Sequence, residues 1–348
     1  MPTRLPLIAP TAWEHPADRA ALNSLRALPG LDEAVRRVFG TIGERGVRQL
    51  FLANAVRVGP NQRPALDALY SDVLATLDWP GGEEALASRA GRPELYVTQT
   101  PFVNAAAVGF EHPFIIVSSS MLELLDEDEQ RFILAHELGH VMSGHATYRT
   151  LAILLITFGR QGLPFLAHLA LLPFQLALLE WYRKSELSAD RAGLLGAQDP
   201  RAAMGTFLKL AGGAAAGDRV DLDDFMRQAA EYESDEGALD AIFRVINTAF
   251  RDHPFGTVRA AELQRWISSG EYDRILGGDY QRRGATNTTG DAAAEGSIGG
   301  STSQQRPLGD DLADAAKYYG EQLRTVANQV GDSLDRAADA LADAFRRR

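Results

Sequence analysis

The sequence predicts an α+β protein that is predominantly α-helical and contains one small β-sheet. Apolar residues recur at helical spacing from residue 16 to residue 78, and again after residue 120. Between these regions the pattern changes to three short apolar runs, each bounded by Pro, Gly, Asn or Ser, which is typical of strands. The three runs are Leu95–Val97, Ala105–Phe110 and Phe114–Val117. The small sheet therefore follows a helical region and precedes further helices.

Composition excludes several classes of protein. The chain has 348 residues, enough for roughly two structural units. Its 35 Lys and Arg residues against 46 Asp and Glu residues give a net charge of −11. This balance argues against a nucleic-acid partner, because binding phosphates needs clustered basic residues. The chain contains no cysteine, which excludes a disulfide scaffold, a thiolate metal site and a cysteine nucleophile.

The start of the sequence is not typical of an exported protein. Residues 1–10 contain three prolines, and their apolar core is too short for a signal peptide. We therefore expect a cytoplasmic protein.

Composition and periodicity divide the chain into four parts. Residues 1–90 form an N-terminal helical region, and residues 91–283 form a core that carries the candidate site. Residues 284–310 are rich in Gly, Ser, Thr, Ala and Gln, which predicts a disordered linker. In residues 311–348 apolar side chains recur every three or four positions, which predicts one amphipathic helix. That helix is a candidate for self-association or for binding a partner.

The candidate site is built on residues 136–140, which form an HExxH motif, His-Glu-Leu-Gly-His. On a helix, positions i and i+4 lie on one face, so His136 and His140 can bind a single metal ion. Glu137 can then take a proton from water whose pKa a bound Zn²⁺ lowers towards neutrality. The surrounding helix is mostly apolar, where burying these side chains without partners would be costly. The segment therefore predicts a zinc site.

Two histidines leave a catalytic zinc site incomplete, because it needs a third protein ligand and one open position. If the helix continued, His145 would lie about 140° around it from His140, which favours a supporting or core role for His145. Glu186 is the better candidate, since a carboxylate can bind zinc. Asp190, four residues later, can hydrogen-bond the outer ring nitrogen of a ligand histidine. Spacing alone also allows a surface helix with paired Glu and Arg side chains.

These motifs resemble peptidase family M48, a family of zinc metallopeptidases. The resemblance rests on the HExxH motif and on Ser185–Gly193, which reads Ser-Glu-Leu-Ser-Ala-Asp-Arg-Ala-Gly. It extends upstream to Asn104–Gly109 and downstream to Asp252–Pro254 with Arg259. These segments occur in the family's order and span roughly residues 90–265.

The resemblance implies a zincin-like core with the small sheet beside the HExxH helix. It implies a gluzincin ligand set, in which Zn²⁺ is bound by His136, His140 and Glu186. Glu137 acts as general base and then as general acid. The implied function is a zinc-dependent endopeptidase that hydrolyses peptide bonds in protein or peptide substrates.

The resemblance also implies roles for residues around the metal. Asp190 supports a ligand histidine from outside, and His253 faces the metal and stabilises the oxyanion. The segment at Asn104 resembles an edge strand that pairs with an extended substrate. The implied substrate-binding residues are Asn104, Ala105, Ala106 and Arg259.

Two other functions stay open on the residues alone. A zinc-stabilised adaptor that does not hydrolyse its partners would use four protein ligands, whereas an enzyme would use three and a water. A membrane-surface protease would use residues 150–179, the most apolar stretch of the chain.

The length of that stretch argues against membrane spans. Many members of family M48 cross the membrane in this interval, but two spans need about 40 residues, more than residues 150–179 supply. Pro and Gly also interrupt the stretch. We expect a buried helical hairpin and take the soluble members as the closer comparison. Peripheral membrane contact through the tip of the hairpin is the alternative.

Overall fold

Helices dominate the computed structural model, and one four-stranded sheet accompanies them, as the sequence predicts. The structure describes residues 2–27, 43–49, 51–80, 91–159, 165–212, 221–234 and 256–284. Three predictions fall outside these residues: the role of His253, the linker beyond residue 284 and the helix at 311–348.

The elements follow the chain in a simple order. The longer helices are α1 (Pro16–Arg26), α2 (Pro64–Thr76), α4 (Glu127–Met142), α5 (His145–Gly159), α6 (Phe165–Ala197), α7 (Pro200–Gly212), α8 (Leu222–Ser234) and α9 (Gly256–Ser268). Two short helices are α3 (Ser119–Leu124) and α10 (Glu271–Leu276). The strands are β1 (Ala55–Arg57), β2 (Glu94–Thr98), β3 (Ala105–Val108) and β4 (Phe114–Ser118).

β3 lies at one edge of the sheet. The strand order is β1-β2-β4-β3, in which β2 and β4 run parallel while β1 and β3 are antiparallel to their neighbours. The register pairs Glu94 with Phe114 across β2 and β4. Ala105 pairs with Val117 across β3 and β4. The position of β3 matters because an edge strand leaves main-chain groups unpaired by the sheet on one side.

The sequence predicts β2, β3 and β4 but not β1. Helical spacing leads us to expect helix throughout this N-terminal part, whereas Ala55–Arg57 forms a strand antiparallel to β2. Three residues are too few to show an alternating pattern, and Val56 is 47% exposed, so apolar periodicity gives no signal. Pairing with β2 therefore decides the conformation here.

α4 has a strong start and an abrupt end. The Asp126 carboxylate accepts a hydrogen bond from the Glu129 amide, and the Glu129 side chain accepts one from the Asp126 amide. This capping box fixes the first turn. The helix ends at Met142, and Gly144 follows with a left-handed φ of 72°. The chain can therefore turn back at this point, and α5 begins at the next residue.

α4 and α6 cross at small residues. A Cβ on Gly139 of α4 would lie 2.5 Å from the Cβ of Ala192 on α6. A Cβ on Gly196 of α6 would collide with the Cβ of Ala135 on α4. Only glycine fits at these two positions, because the interior is already close-packed. The close approach brings the HExxH motif beside the Ser-Glu-Leu-Ser motif of α6.

Of the three clusters of buried apolar side chains among the described residues, two hold the helices around the motifs. The larger cluster joins the sheet to α2, α4, α7 and α9. The smaller cluster joins α1 to α5 and α6, and its members include Leu25, Leu151, Leu178 and Trp181. α1 therefore packs against the two helices that follow the HExxH motif, although it comes first in the chain.

Residues 150–159 lie on α5 and residues 165–179 lie on α6, the two helices that a helical hairpin requires. Residues 160–164, where the hairpin would turn, lie outside the described residues. Within the described part of the chain, no helix is both long enough and apolar enough to cross a membrane. The buried hairpin stays a prediction, and membrane contact stays its alternative.

Replacing Gly196 by Ala should destabilise the protein, although alanine favours helices. The added methyl group would collide with Ala135, and such overpacking costs about 1–3 kcal/mol. Gly212→Ala is the matched control, because no described atom lies within 4 Å of a Cβ at that helical position. Urea unfolding should show a loss for Gly196→Ala and a change within about 0.5 kcal/mol for Gly212→Ala. Equal stability of the two variants would contradict the close crossing of α4 and α6.

Candidate metal centre

α4 presents two buried imidazoles on one face. His136 and His140 have ring centroids 4.8 Å apart, and their exposed fractions are 3% and 0%. His140 Nε2 makes no hydrogen bond of good geometry within the described residues, and the oxygen that faces it is Glu186 Oε1 at 3.2 Å. A metal ion bound by both atoms would satisfy this buried nitrogen.

Glu186 of α6 is fully buried and faces both imidazoles. Its Oε1 lies 3.2 Å from His140 Nε2, and its Oε2 lies 3.5 Å from His136 Nε2. Among the described residues, these three side chains form the group of potential metal ligands, with ligand atoms all within 4.8 Å of one another. Two imidazole nitrogens and a carboxylate oxygen are donors that zinc takes in proteins. The structure thus brings together the three residues that the sequence predicts, and their chemistry fits Zn²⁺.

Asp190, one turn after Glu186, supports the outer nitrogen of His136. Its Oδ1 lies 3.0 Å from His136 Nδ1, the kind of contact that the spacing predicts. Arg259 of α9 donates through Nε to Asp190 at 2.8 Å, and its Nη1 lies 3.3 Å from Glu186 Oε2. The resemblance implies that Arg259 contacts substrate, whereas here it is buried and paired with these two carboxylates. Its contact with substrate stays a prediction.

The two imidazoles differ in charge before a metal binds. Burial disfavours the charged form of His136, but the hydrogen bonds and charges of Asp190 and Glu186 outweigh burial and raise the pKa of His136 to about 9. Burial and the positive charge of Arg149 hold the pKa of His140 well below its ordinary value. At neutral pH, His136 is therefore charged and His140 is neutral.

Glu137 is held by an arginine that the motifs do not reveal. Arg149 of α5 donates through Nη1 to Glu137 Oε2 at 2.9 Å, and both side chains are buried. Arg149 Nη2 lies 3.4 Å from the Ala105 carbonyl oxygen, and the guanidinium lies over the Tyr182 ring. The pair matters because a buried charge without a partner is strongly destabilising. The sequence offers one clue to this role: Arg149 is the one basic residue, apart from histidine, in the apolar stretch that forms α5.

His145 supports the second imidazole, His140. Because α4 has ended and α5 begins at His145, the ring turns back, and its Nδ1 lies 3.1 Å from His140 Nδ1. Its Nε2 lies 3.2 Å from Oδ2 of Asp18, a buried residue of α1. The supporting role that we predict for His145 agrees with this contact. Nothing in the sequence signals Asp18, which belongs to no motif.

The predicted substrate strand lies at the sheet edge, beside α5. The Asn104 carbonyl accepts a hydrogen bond from the β4 backbone, and Ala106 pairs with β4. Alternation along an antiparallel pair then turns the main-chain groups of Ala105 and Ala107 towards the other side. Both alanines are buried, and Arg149 contacts the Ala105 carbonyl there. The edge is therefore covered at these positions.

The structure places a buried group of two histidines and one glutamate, all potential metal ligands, on two crossing helices. The model of peptidase family M48 matches residues 83–267, which include all three potential ligands. The chain therefore belongs to peptidase family M48, and this membership supports a metallopeptidase function.

Individual relatives agree with the family assignment. Plastoglobule-localized metallopeptidase 48, chloroplastic, of Arabidopsis thaliana is 34% identical over 268 residues, which cover 76% of this chain and 74% of that protein. The protease HtpX homolog of Tropheryma whipplei (strain Twist) is 29% identical over 192 residues, 47% of this chain and 62% of that protein. The protease HtpX homolog of Sulfurihydrogenibium sp. (strain YO3AOP1) is 47% identical over 62 residues, which cover 17% of this chain and 21% of that protein. No solved structure matches significantly.

In the metal-free protein, His136 and His140 should titrate in separate pH ranges. His136 should lose its proton near pH 9, and His140 should stay neutral to well below pH 6.5. Because the pKa of His136 is raised in the folded state, its charge stabilises the fold fully below about pH 6.5, and this contribution is lost as the pH rises through about 9. Nitrogen-15 NMR of histidine-labelled, chelator-treated protein measures both midpoints. Coincident midpoints near 6.5 would contradict the arrangement.

Proposed function

We propose that the protein is a zinc-dependent endopeptidase that hydrolyses peptide bonds in protein or peptide substrates. The observation that carries this proposal is the buried group of His136, His140 and Glu186, with Glu137 next to the first of them. Membership of family M48 supports the same function.

The proposed ligands are Nε2 of His136, Nε2 of His140 and the Glu186 carboxylate. Both Nδ1 atoms already have hydrogen-bond partners, which leaves the Nε2 atoms for the ion. When bound there, Zn²⁺ lowers the pKa of water and polarises the carbonyl group of the scissile bond. Asp190 and Arg259 hold His136 and Glu186 in place through the contacts described above.

Glu137 is the proposed general base and general acid. Its carboxylate takes a proton from the attacking water and then gives it to the nitrogen of the leaving amine. Arg149 holds Oε2 of this carboxylate, so the orientation of Glu137 is set before a substrate arrives. His253 is proposed to stabilise the oxyanion, on the resemblance to the family.

An extended substrate is proposed to pair with the sheet edge at Asn104, Ala105 and Ala106. The Ala105 carbonyl faces away from β4, where a substrate amide could donate to it, but Arg149 contacts that oxygen. Strand addition at this point therefore requires Arg149 to release the carbonyl, or α5 to move from the edge.

The adaptor alternative requires a fourth protein ligand. The described residues provide three, and His145 is already engaged with His140 and Asp18. Membership of family M48 favours the enzyme over the adaptor. A cytoplasmic location accompanies this proposal. Residues 150–179 are proposed to form a buried hairpin, with peripheral membrane contact as the alternative, and residues 311–348 are a candidate for self-association or for binding a partner.

Glu137→Gln should keep bound zinc and lose peptide hydrolysis. The amide cannot take up the proton, and general acid–base catalysis contributes about 10²–10⁴-fold, so kcat/KM should fall by about that factor. The measurement is cleavage of an unfolded test protein, with metal content determined on the same samples and chelator-treated enzyme as the blank.

Glu129→Gln is the matched control for this variant. Glu129 is another buried glutamate of α4 with a cationic partner, Lys209. Its replacement removes a buried carboxylate charge from the same helix and weakens the pair with the partly exposed Lys209, and it should leave the activity per folded molecule unchanged. Undiminished turnover by Glu137→Gln would remove Glu137 from the reaction, whereas equal losses in both variants would trace the effect to folding.

A further inference from the structure

Both imidazoles of the proposed zinc site have partners at their outer nitrogens, but the partners differ. Asp190, from the α6 motif, lies 3.0 Å from His136 Nδ1. His140 Nδ1 instead faces His145 Nδ1 at 3.1 Å, and His145 Nε2 faces Asp18 Oδ2 at 3.2 Å. All of these side chains are buried. A row of Asp18, His145 and His140 thus runs from α1 to the proposed metal centre.

We propose that Asp18 and His145 are positioning residues for the metal centre, and that they set the tautomer in which His140 binds a divalent cation. This inference rests on the proposed function, because it takes His140 to be a metal ligand. In this proposal α1 helps to orient a ligand of the metal centre. α1 lies outside residues 83–267, the part of the chain that matches the family model.

The direction of each hydrogen bond follows from one requirement. To bind a cation through Nε2, a neutral His140 must carry its proton on Nδ1. That proton points to His145 Nδ1, which must then be an acceptor, so a neutral His145 carries its proton on Nε2. His145 Nε2 therefore donates to Asp18, whose ionised carboxylate can only accept. If the hydrogen bonds ran in the opposite direction, His140 would carry its proton on Nε2, and that nitrogen could not bind a cation.

The surroundings keep Asp18 an acceptor. Ser188 Oγ of α6 donates to the same Oδ2 atom at 2.6 Å. The His145 ring also makes an edge-to-face contact with Trp181, with 5.5 Å between the ring centroids. Both members of the row are therefore held in one orientation.

α1 is fixed by contacts that do not involve Asp18. His15 Nδ1 accepts from the Ala17 amide and caps the helix, and the His15 amide donates to Ser188 Oγ at 2.9 Å. Leu25 packs in the apolar cluster with α5 and α6. The carboxylate is thus presented by a packed helix, which holds a supporting group more accurately than a loop does.

Zinc affinity of the full chain, measured by competition with a chromophoric chelator, tests the inference. Asp18→Asn and His145→Phe should each weaken zinc binding by about 10–100-fold, as loss of an outer hydrogen-bond partner does. Because Asp18 acts through His145, the double variant should bind zinc no more weakly than His145→Phe alone. Asp67→Asn is the matched control, since Asp67 is buried and paired with Arg92, and its zinc affinity should be unchanged.

Nitrogen-15 NMR of the zinc-loaded wild type gives a readout that a merely structural role would not produce. His140 should be protonated at Nδ1, and His145 should be protonated at Nε2. No variant is needed, so the test holds even where Asp18→Asn fails to fold. Protonation of His145 at Nδ1, unchanged affinity in both single variants, or additive losses in the double variant would overturn the inference.

These outcomes separate the inference from the proposed function. A wild-type chain that binds no zinc overturns both. A wild type that binds zinc, together with variants that bind it equally tightly, overturns only the role of Asp18 and His145.

Discussion

The close crossing of α4 and α6 is the constraint on which the site depends. Gly139 and Gly196 leave no room for a Cβ, so the two helix backbones approach closely, and the imidazoles of one meet the carboxylates of the other. A larger residue at Gly139 would push the helices apart and move His136 and His140 away from Glu186. The small residues at the crossing are therefore as necessary to the proposed site as its histidines and its glutamate.

The second constraint is electrostatic. The buried carboxylates around the centre are those of Asp18, Glu137, Glu186 and Asp190. Each has a cationic or titratable partner, and these partners include Arg149 from α5 and Arg259 from α9. Because an unpaired buried charge is strongly destabilising, the partners are needed whether or not a metal is bound. Folding of α1, α5 and α9 onto the crossing therefore also completes the charge balance of the site.

Local signals in the sequence predict the part of the site that lies within single helices. His136 and His140 on one helix, and Glu186 with a carboxylate one turn later, follow from i, i+4 spacing, and the three longer strands follow from short apolar runs. Asp18 and Arg149 could not be predicted, because their partners lie on other helices and no periodicity marks such a contact. β1 was missed for a related reason, since pairing with a distant strand, not its own pattern, decides its conformation.

X-ray absorption spectroscopy at the zinc edge, on the zinc-loaded wild type and on Glu186→Gln, tests the central claim most directly. The account predicts two imidazole ligands, oxygen donors in the remaining positions, and a coordination sphere that changes when Glu186 is replaced. Three imidazoles, or a spectrum and zinc affinity that are the same in Glu186→Gln as in the wild type, would contradict it.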